Sequence, residues 1–136
     1  MDLNKISGVI VDSAMKVHTA LGAGLLESTH EICLIHEFRK RRYNVESQLA
    51  LPVVYDGIKL DAGYRIDLLV ENAVIVELKA VERFLPIHEA QLLSYLKLSD
   101  KRLGLLINFN VVHLKNGLRR IVNKFMISLR PLRPLR

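Results

Sequence analysis

The sequence predicts an α/β (α+β) domain in which a mixed sheet of four to five strands is flanked by helices. Three observations lead there. Apolar residues recur at helical spacing through the first 42 residues, short apolar runs bounded by turn residues follow, and one more helical segment separates two of those runs. A helix inserted between two strands at this length makes a right-handed crossover and so a parallel pair. The strands before it are joined by short turns and must be antiparallel.

Taken in order, "NKISGVIVDSAMKVHTALG" carries Ile6, Val9, Ile10, Ala14, Val17 and Leu21 at helical spacing, and "GAG" then breaks the helix. A second helix runs from about Leu25 to Arg42, with Ile32, Ile35 and Phe38 on its inner face. It closes on "RKRR" at 39–42, where positive charge suits the helix dipole. "YNVESQLALPVVYDGIKLDAG" reads as strand, "DG" turn and short strand. "YRIDLLVENAVIVELKA", residues 64–80, supplies two more strands. "LPIHEAQLLSYLKLS" is a helix with Pro86 in its first turn, "RLGLLINF" a buried strand, and "GLRRIVNKF" a further strand or short helix at the edge. The 136 residues fit one domain over 1–128, followed by a basic, Pro-containing tail at 129–136.

Composition narrows the class. Half the residues are hydrophobic and a quarter are charged, the balance of an ordinary globular protein. The sequence offers no membrane-spanning run and no secretory signal, so a cytoplasmic location is expected. The single cysteine, Cys33, permits neither an internal disulfide nor a cysteine-built zinc site, and its helical, mostly apolar setting reads as an inert thiol. Net charge is +6, and from Lys101 onward there are nine Lys or Arg and no Asp or Glu. Such segregation suits a polyanion, although a solvated basic face gives the same pattern.

Within the apolar hairpin 64–80, Asp67, Glu77 and Lys79 stand out. With Asn72 at the centre of the turn, Asp67 falls opposite Glu77. Alternation then puts Arg65, Asp67, Glu77 and Lys79 on one face, and Ile66, Leu68, Val74, Val76 and Leu78 on the other. Opposed residues on neighbouring strands have Cβ atoms about 4.5–5.5 Å apart. Two carboxylates so placed repel, and one takes up a proton unless a cation lies between them. Magnesium accepts two or three carboxylates plus water and a substrate phosphate. On the hairpin alone, a metal site and a salt-bridge cluster of Arg65 and Lys79 with the two acids are both open.

The next helix places Gln91 and Tyr95 four residues apart on one face. An Asp, then Glu-x-Lys on the following strand, then Gln-x-x-x-Tyr on the following helix resembles the PD-(D/E)XK nuclease superfamily, particularly its RecB-type members. "LGAGLLESTHE" is similar to the signature of the GxxExxY proteins within it. The similarity continues through "VH" at 17–18, "VIVELKAVE" at 74–82, "HEAQLLSYL" at 88–96, "LGLLINF" at 103–109 and "LRRIVN" at 118–123. Gly24 and Glu27 match the namesake motif, whereas His30 stands where the motif has Tyr.

The resemblance implies a restriction-endonuclease-like core and a nuclease that uses magnesium or manganese. It implies metal ligands Glu27, Asp67, Glu77 and the carbonyl of Leu78, with Lys79 acting on the attacking water and Gln91 positioning Lys79 or the phosphate. Tyr95 packs beside them, and Arg65, Arg83, Arg119 and Arg120 hold the nucleic-acid backbone. The implied substrate is DNA in preference to RNA, with a homodimer or a partner protein supplying the targeting that so small a domain lacks. The alternative is a non-catalytic nucleic-acid-binding or protein-interaction module on the same scaffold. Other chemistries find no support: Glu27-x-x-His30 lacks the second copy a di-iron bundle needs. There is likewise no H-E-x-x-H and no P-loop, and His18 and His88 read as packing residues.

Overall fold

The computed structural model describes residues 2–124; the expected domain boundary at 128 and the tail at 129–136 lie outside them. The elements run α1 (Leu3–Leu21), α2 (Glu27–Lys40), β1 (Val45–Ala50), β2 (Val53–Tyr55), β3 (Ile58–Leu60), β4 (Arg65–Val70), β5 (Val74–Lys79), α3 (Pro86–Ser99), β6 (Leu103–Asn108) and β7 (Leu118–Val122). Five strands form one mixed sheet in the order β1-β4-β5-β6-β7, and β2 and β3 form a separate hairpin. The expected α+β class and sheet size are borne out. The pair enclosing α3, β5 and β6, is parallel, while the other neighbours are antiparallel.

Helices cover both faces. On one side Ile6, Ile10, Ala14 and Val17 of α1 and Leu34 and Phe38 of α2 pack on Leu68, Val70, Val74, Val76 and Leu78. On the other, Leu92, Tyr95 and Leu96 of α3 pack on Leu69, Ile75 and Leu106. α1 begins where Asp2 Oδ1 accepts from Asn4 N at 2.9 Å and ends at Gly22, whose φ of 73° favours glycine. Gly104 lets α3 sit low on the sheet, because a Cβ there would lie 2.9 Å from Leu92 Cδ1. The depth of α3 sets where Gln91 and Tyr95 stand.

Three expectations need correction. Ile32 is 67% exposed; the inner face of α2 is formed instead by His30, Leu34 and Phe38, with Ile35 half-buried. The segment after Tyr43 divides at Leu51–Pro52, so its first strand joins the main sheet and the "DG" hairpin projects by itself. Ile66 packs on the α3 side with Leu69 and Ile75, not with Leu68 and Val74. The reason lies at Gln48, whose φ of 53° is left-handed in the middle of β1. Ser47 pairs with Leu68 and Leu49 with Ile66, but the intervening Gln48–Asp67 step is skipped. Both strands exchange faces there: Val45 packs towards the helices α1 and α2, and Leu49 towards α3.

His30 fills a corner of this frame. It is 1% exposed, stacks on Phe109 with ring centroids 4.2 Å apart, and places Nε2 3.2 Å from the Gly22 carbonyl. The His30→Ala substitution is expected to lower stability by about 2–4 kcal/mol through loss of a fully packed ring, a shift readable in urea denaturation.

Candidate active site

The hairpin has the register in which Asp67 meets Glu77: Leu68 pairs with Val76, Leu69 with Ile75 and Val70 with Val74. Beyond Leu68 and Val76 the strand-to-strand ladder gives way to side chains. Asp67 N donates to Glu77 Oε2 and Leu78 N donates to Asp67 Oδ2, each at 2.8 Å. Each acid is thus anchored on the backbone of the opposite strand, which fixes both rotamers. Glu77 Oε1 has no protein donor among the described residues, and Asp67 Oδ1 receives only Gln48 Nε2 at 3.4 Å.

No ion pair among the described residues involves either acid. The salt-bridge alternative is therefore not formed: Arg65 donates to the Gln48 carbonyl at 3.4 Å, and Lys79 Nζ reaches Gln91 Oε1 at 3.5 Å. Glu37 gives the contrast within the same chain. That buried acid is ringed by Lys16, Lys40 and Arg41 at 3.4–3.5 Å. Burial pushes its pKa up, but the three cations prevail and hold it lowered. Glu77 is 5% exposed without such company. Burial, and then the Asp67 charge, raise its pKa to about 8, so without a cation the pair keeps a proton at neutral pH.

α2 brings more carboxylate. Glu27, in its first turn, has its pKa raised by burial, with Lys79 opposing and Asp67 reinforcing the shift. An acid placed only to suit the helix dipole is expected to shift downwards; Glu27 instead senses the hairpin. One turn on, Glu31 is raised by burial and by Asp67 and Glu27, while Gln48 pulls the other way by donating Nε2 to Glu31 Oε1 at 2.9 Å. Glu31 and Gln48 are members that sequence reasoning missed. Glu31 was legible one turn beyond Glu27; Gln48 was not, because its side chain arrives through a backbone conformation that its residue type does not announce.

α3 completes the wall. Tyr95 is 6% exposed and its hydroxyl accepts from Gln91 Nε2 at 3.3 Å. Burial first, then Glu77 and Asp67, raise its pKa, which keeps the hydroxyl protonated. Tyr95 thus braces Gln91, and Gln91 holds Lys79. Behind them Asn108, 1% exposed, bonds both backbone groups of Val81 and so ties down the chain leaving Lys79. The arginines divide. Arg119 pairs with Leu106, which pairs with Glu77, and its guanidinium lies 5.1 Å from the Phe84 ring centre. Arg120 donates to Asn4 Oδ1 at the start of α1, away from the acids. Arg83 is exposed beside the braced segment. His88 Nδ1 accepts from Leu85 N at the head of α3, and His18 Nε2 lies 2.7 Å from the Val111 carbonyl; both pack as expected.

Among the described residues no three His, Cys, Asp or Glu side chains form a ready metal cluster. The donor set is nonetheless of the kind magnesium uses, since that ion takes one or two carboxylates and keeps several waters. Asp67 and Glu77 offer hard oxygens already fixed in place. The Lys79 carbonyl accepts from Phe109 N on the β6 side. Carbonyl direction alternates along a strand, so that of Leu78 faces Asp67. Left-handed backbone at Gln48 costs about 1–2 kcal/mol. Gln48→Gly relieves it but gives up the bonds to Glu31 and Asp67 and loosens the unfolded chain, so thermal stability is expected to stay within about 1 kcal/mol of wild type, measurable by calorimetry.

A family model described as the PD-(D/E)XK nuclease superfamily matches residues 4–121. No curated protein and no solved structure matches the chain. No described helix is long and apolar enough to cross a membrane.

Proposed function

The chain belongs to the PD-(D/E)XK nuclease superfamily, and from that membership we propose that it hydrolyses nucleic-acid phosphodiester bonds at the Asp67–Glu77 pair with a divalent cation. The carrying observation is the pair itself: two carboxylates, each locked on the other strand's backbone and neither neutralised by a cationic side chain. Nucleases of this superfamily generally use divalent metals, and magnesium or manganese suits the oxygen donors of Asp67, Glu77, Leu78 and Glu27. Such an ion neutralises the charge that gathers on the phosphate oxygens.

The side chains supply the rest. The Lys79 ammonium, held by Gln91, orients the attacking water and stabilises charge developing on the phosphoryl oxygens. As the water oxygen bonds to phosphorus its proton passes to solvent, and the leaving oxygen takes up a proton from solvent as its bond to phosphorus breaks. Gln48 ties Asp67 to Glu31 and keeps the acid in place. Arg65 and Arg119 border the site and hold the strand; Arg120, turned to α1, contributes through the general field. DNA is the favoured substrate. Within the superfamily we group the chain with the GxxExxY proteins through Gly24 and Glu27. The ring at position 30, stacked on Phe109, serves packing, so His30 in place of Tyr leaves the chemistry intact.

The test is incubation of single- and double-stranded DNA and RNA with magnesium or manganese, with a chelator control. Cation-dependent cleavage lost in Asp67→Asn supports the reading. A wild-type chain inert on all four substrates, yet binding them with an affinity unchanged in Asp67→Asn, points to a non-cleaving module. Gln48→Gly, with stability close to wild type, is expected to cut about 10-fold more slowly because Asp67 loses its tether.

A further inference from the structure

The hairpin β2–β3 is an unfinished piece of structure. Its strands, three residues each, pair only with one another, and a lone two-stranded hairpin is marginal in water. Asp56 and Gly57, with φ of 52° and 75°, form the tight turn that projects it. One face, carrying Val53, Tyr55, Ile58 and Leu60, is wholly apolar and largely bare, with Tyr55 73% and Ile58 58% exposed; the other pairs Val54 with Lys59. Beside it runs a groove of about 590 Å³ whose lining includes Val53, Tyr64, Ile87, Ala90, Tyr95 and Leu98. Ile87, at 65%, is as exposed as the hairpin.

We infer that this face is a homodimer interface, in which the hairpin of each copy seats Tyr55 and Ile58 in the α3 groove of the other. An apolar ridge next to an apolar groove on one chain is self-complementary, as a two-fold contact requires. Large apolar side chains exposed side by side on one surface mark a protein interface. Charge separates the possible occupants. Residues 51–64 carry one Lys and two Asp in a chain of net charge +6, so the hairpin is the segment least suited to a phosphate backbone. Gln91 and Tyr95 line the same groove, so the partner's hairpin would lie beside the group that holds Lys79. The inference stands whether or not the chain cleaves nucleic acid.

Sedimentation velocity over a concentration series, up to about 100 μM, tests it on the full chain. The wild type is expected to be a dimer. Tyr55→Glu with Ile58→Glu on the ridge, and separately Ile87→Glu in the groove, are each expected to raise the dimer Kd at least about 100-fold while the circular dichroism spectrum is kept. A monomeric wild type throughout the range overturns the inference, as does a dimer indifferent to both variants. Loss of nucleic-acid affinity in the variants of a monomeric wild type reassigns the face to nucleic acid. Should a ridge variant fail to fold, Ile87→Glu and the wild-type state still decide.

Discussion

Glu77→Gln is expected to lower cleavage on the order of 10³-fold or more and, without added metal, to make the chain more stable than wild type at pH 8. The two effects share one cause. Glu77 is buried, faces Asp67 and has its pKa raised to about 8. The amide of Gln keeps an oxygen for Asp67 N and turns a donor towards the Asp67 carboxylate, so the fold gains a hydrogen bond where it had repulsion. The anionic oxygen proposed to hold the cation, however, is gone.

The sign of the pH dependence follows from that raised pKa. Between the ordinary carboxylate value and about 8, the folded chain holds a proton that the unfolded chain has released. The Glu77 contribution is therefore fully present below the unfolded value and is lost as pH rises through 8. The slope is about 1.4 kcal/mol per pH unit at most, since only one group is involved. Urea denaturation of the metal-free wild type from pH 5 to 8 should show this decline, and Glu77→Gln should show a shallower one, left to Glu27 and Glu31, whose pKa values are also raised. Metal affinity runs oppositely, because the cation must displace the proton: it should strengthen up to about tenfold per pH unit below 8.

Lys79→Ala is expected to lower kcat by about 10²–10⁴-fold while leaving cation affinity and thermal stability close to wild type. Lys79 is half-buried at the end of β5, and the only hydrogen bond of its ammonium among the described residues is to Gln91. Its removal leaves Gln91 braced by Tyr95, so the frame survives. Single-turnover cleavage at saturating magnesium, read beside a thermal melt, separates this from a structural defect. A loss of stability matching the loss of rate would move Lys79 from the chemistry to the scaffold.

Much of the site was legible because a β-hairpin converts spacing into geometry. Once Asn72 is the turn centre, the placing of Asp67 against Glu77 follows from the pleat, and the structure has that register. Helical spacing likewise put Gln91 and Tyr95 together, and the crossover rule gave the parallel β5–β6 pair. What escaped depends on backbone irregularity and three-dimensional packing. Periodicity cannot anticipate a left-handed Gln48 that swaps the faces of two strands and carries Ile66 across the sheet. Nor does charge alone separate Arg119, stacked over Phe84 on the face of Glu77, from Arg120, which is turned to α1. Ile32 fits an apolar stripe, yet α2 turns His30, Leu34 and Phe38 inward and leaves Ile32 exposed.

Isothermal titration of the metal-free chain with magnesium and manganese at pH 6 and pH 8, wild type beside Glu77→Gln, tests the cation-binding pair most directly. We predict binding by the wild type that is tighter at pH 8, proton release at pH 6, and affinity at least about 100-fold weaker in the variant. Equal affinity in the two proteins, or no binding by the wild type at pH 8, would contradict the assignment of Asp67 and Glu77 as the metal-holding pair.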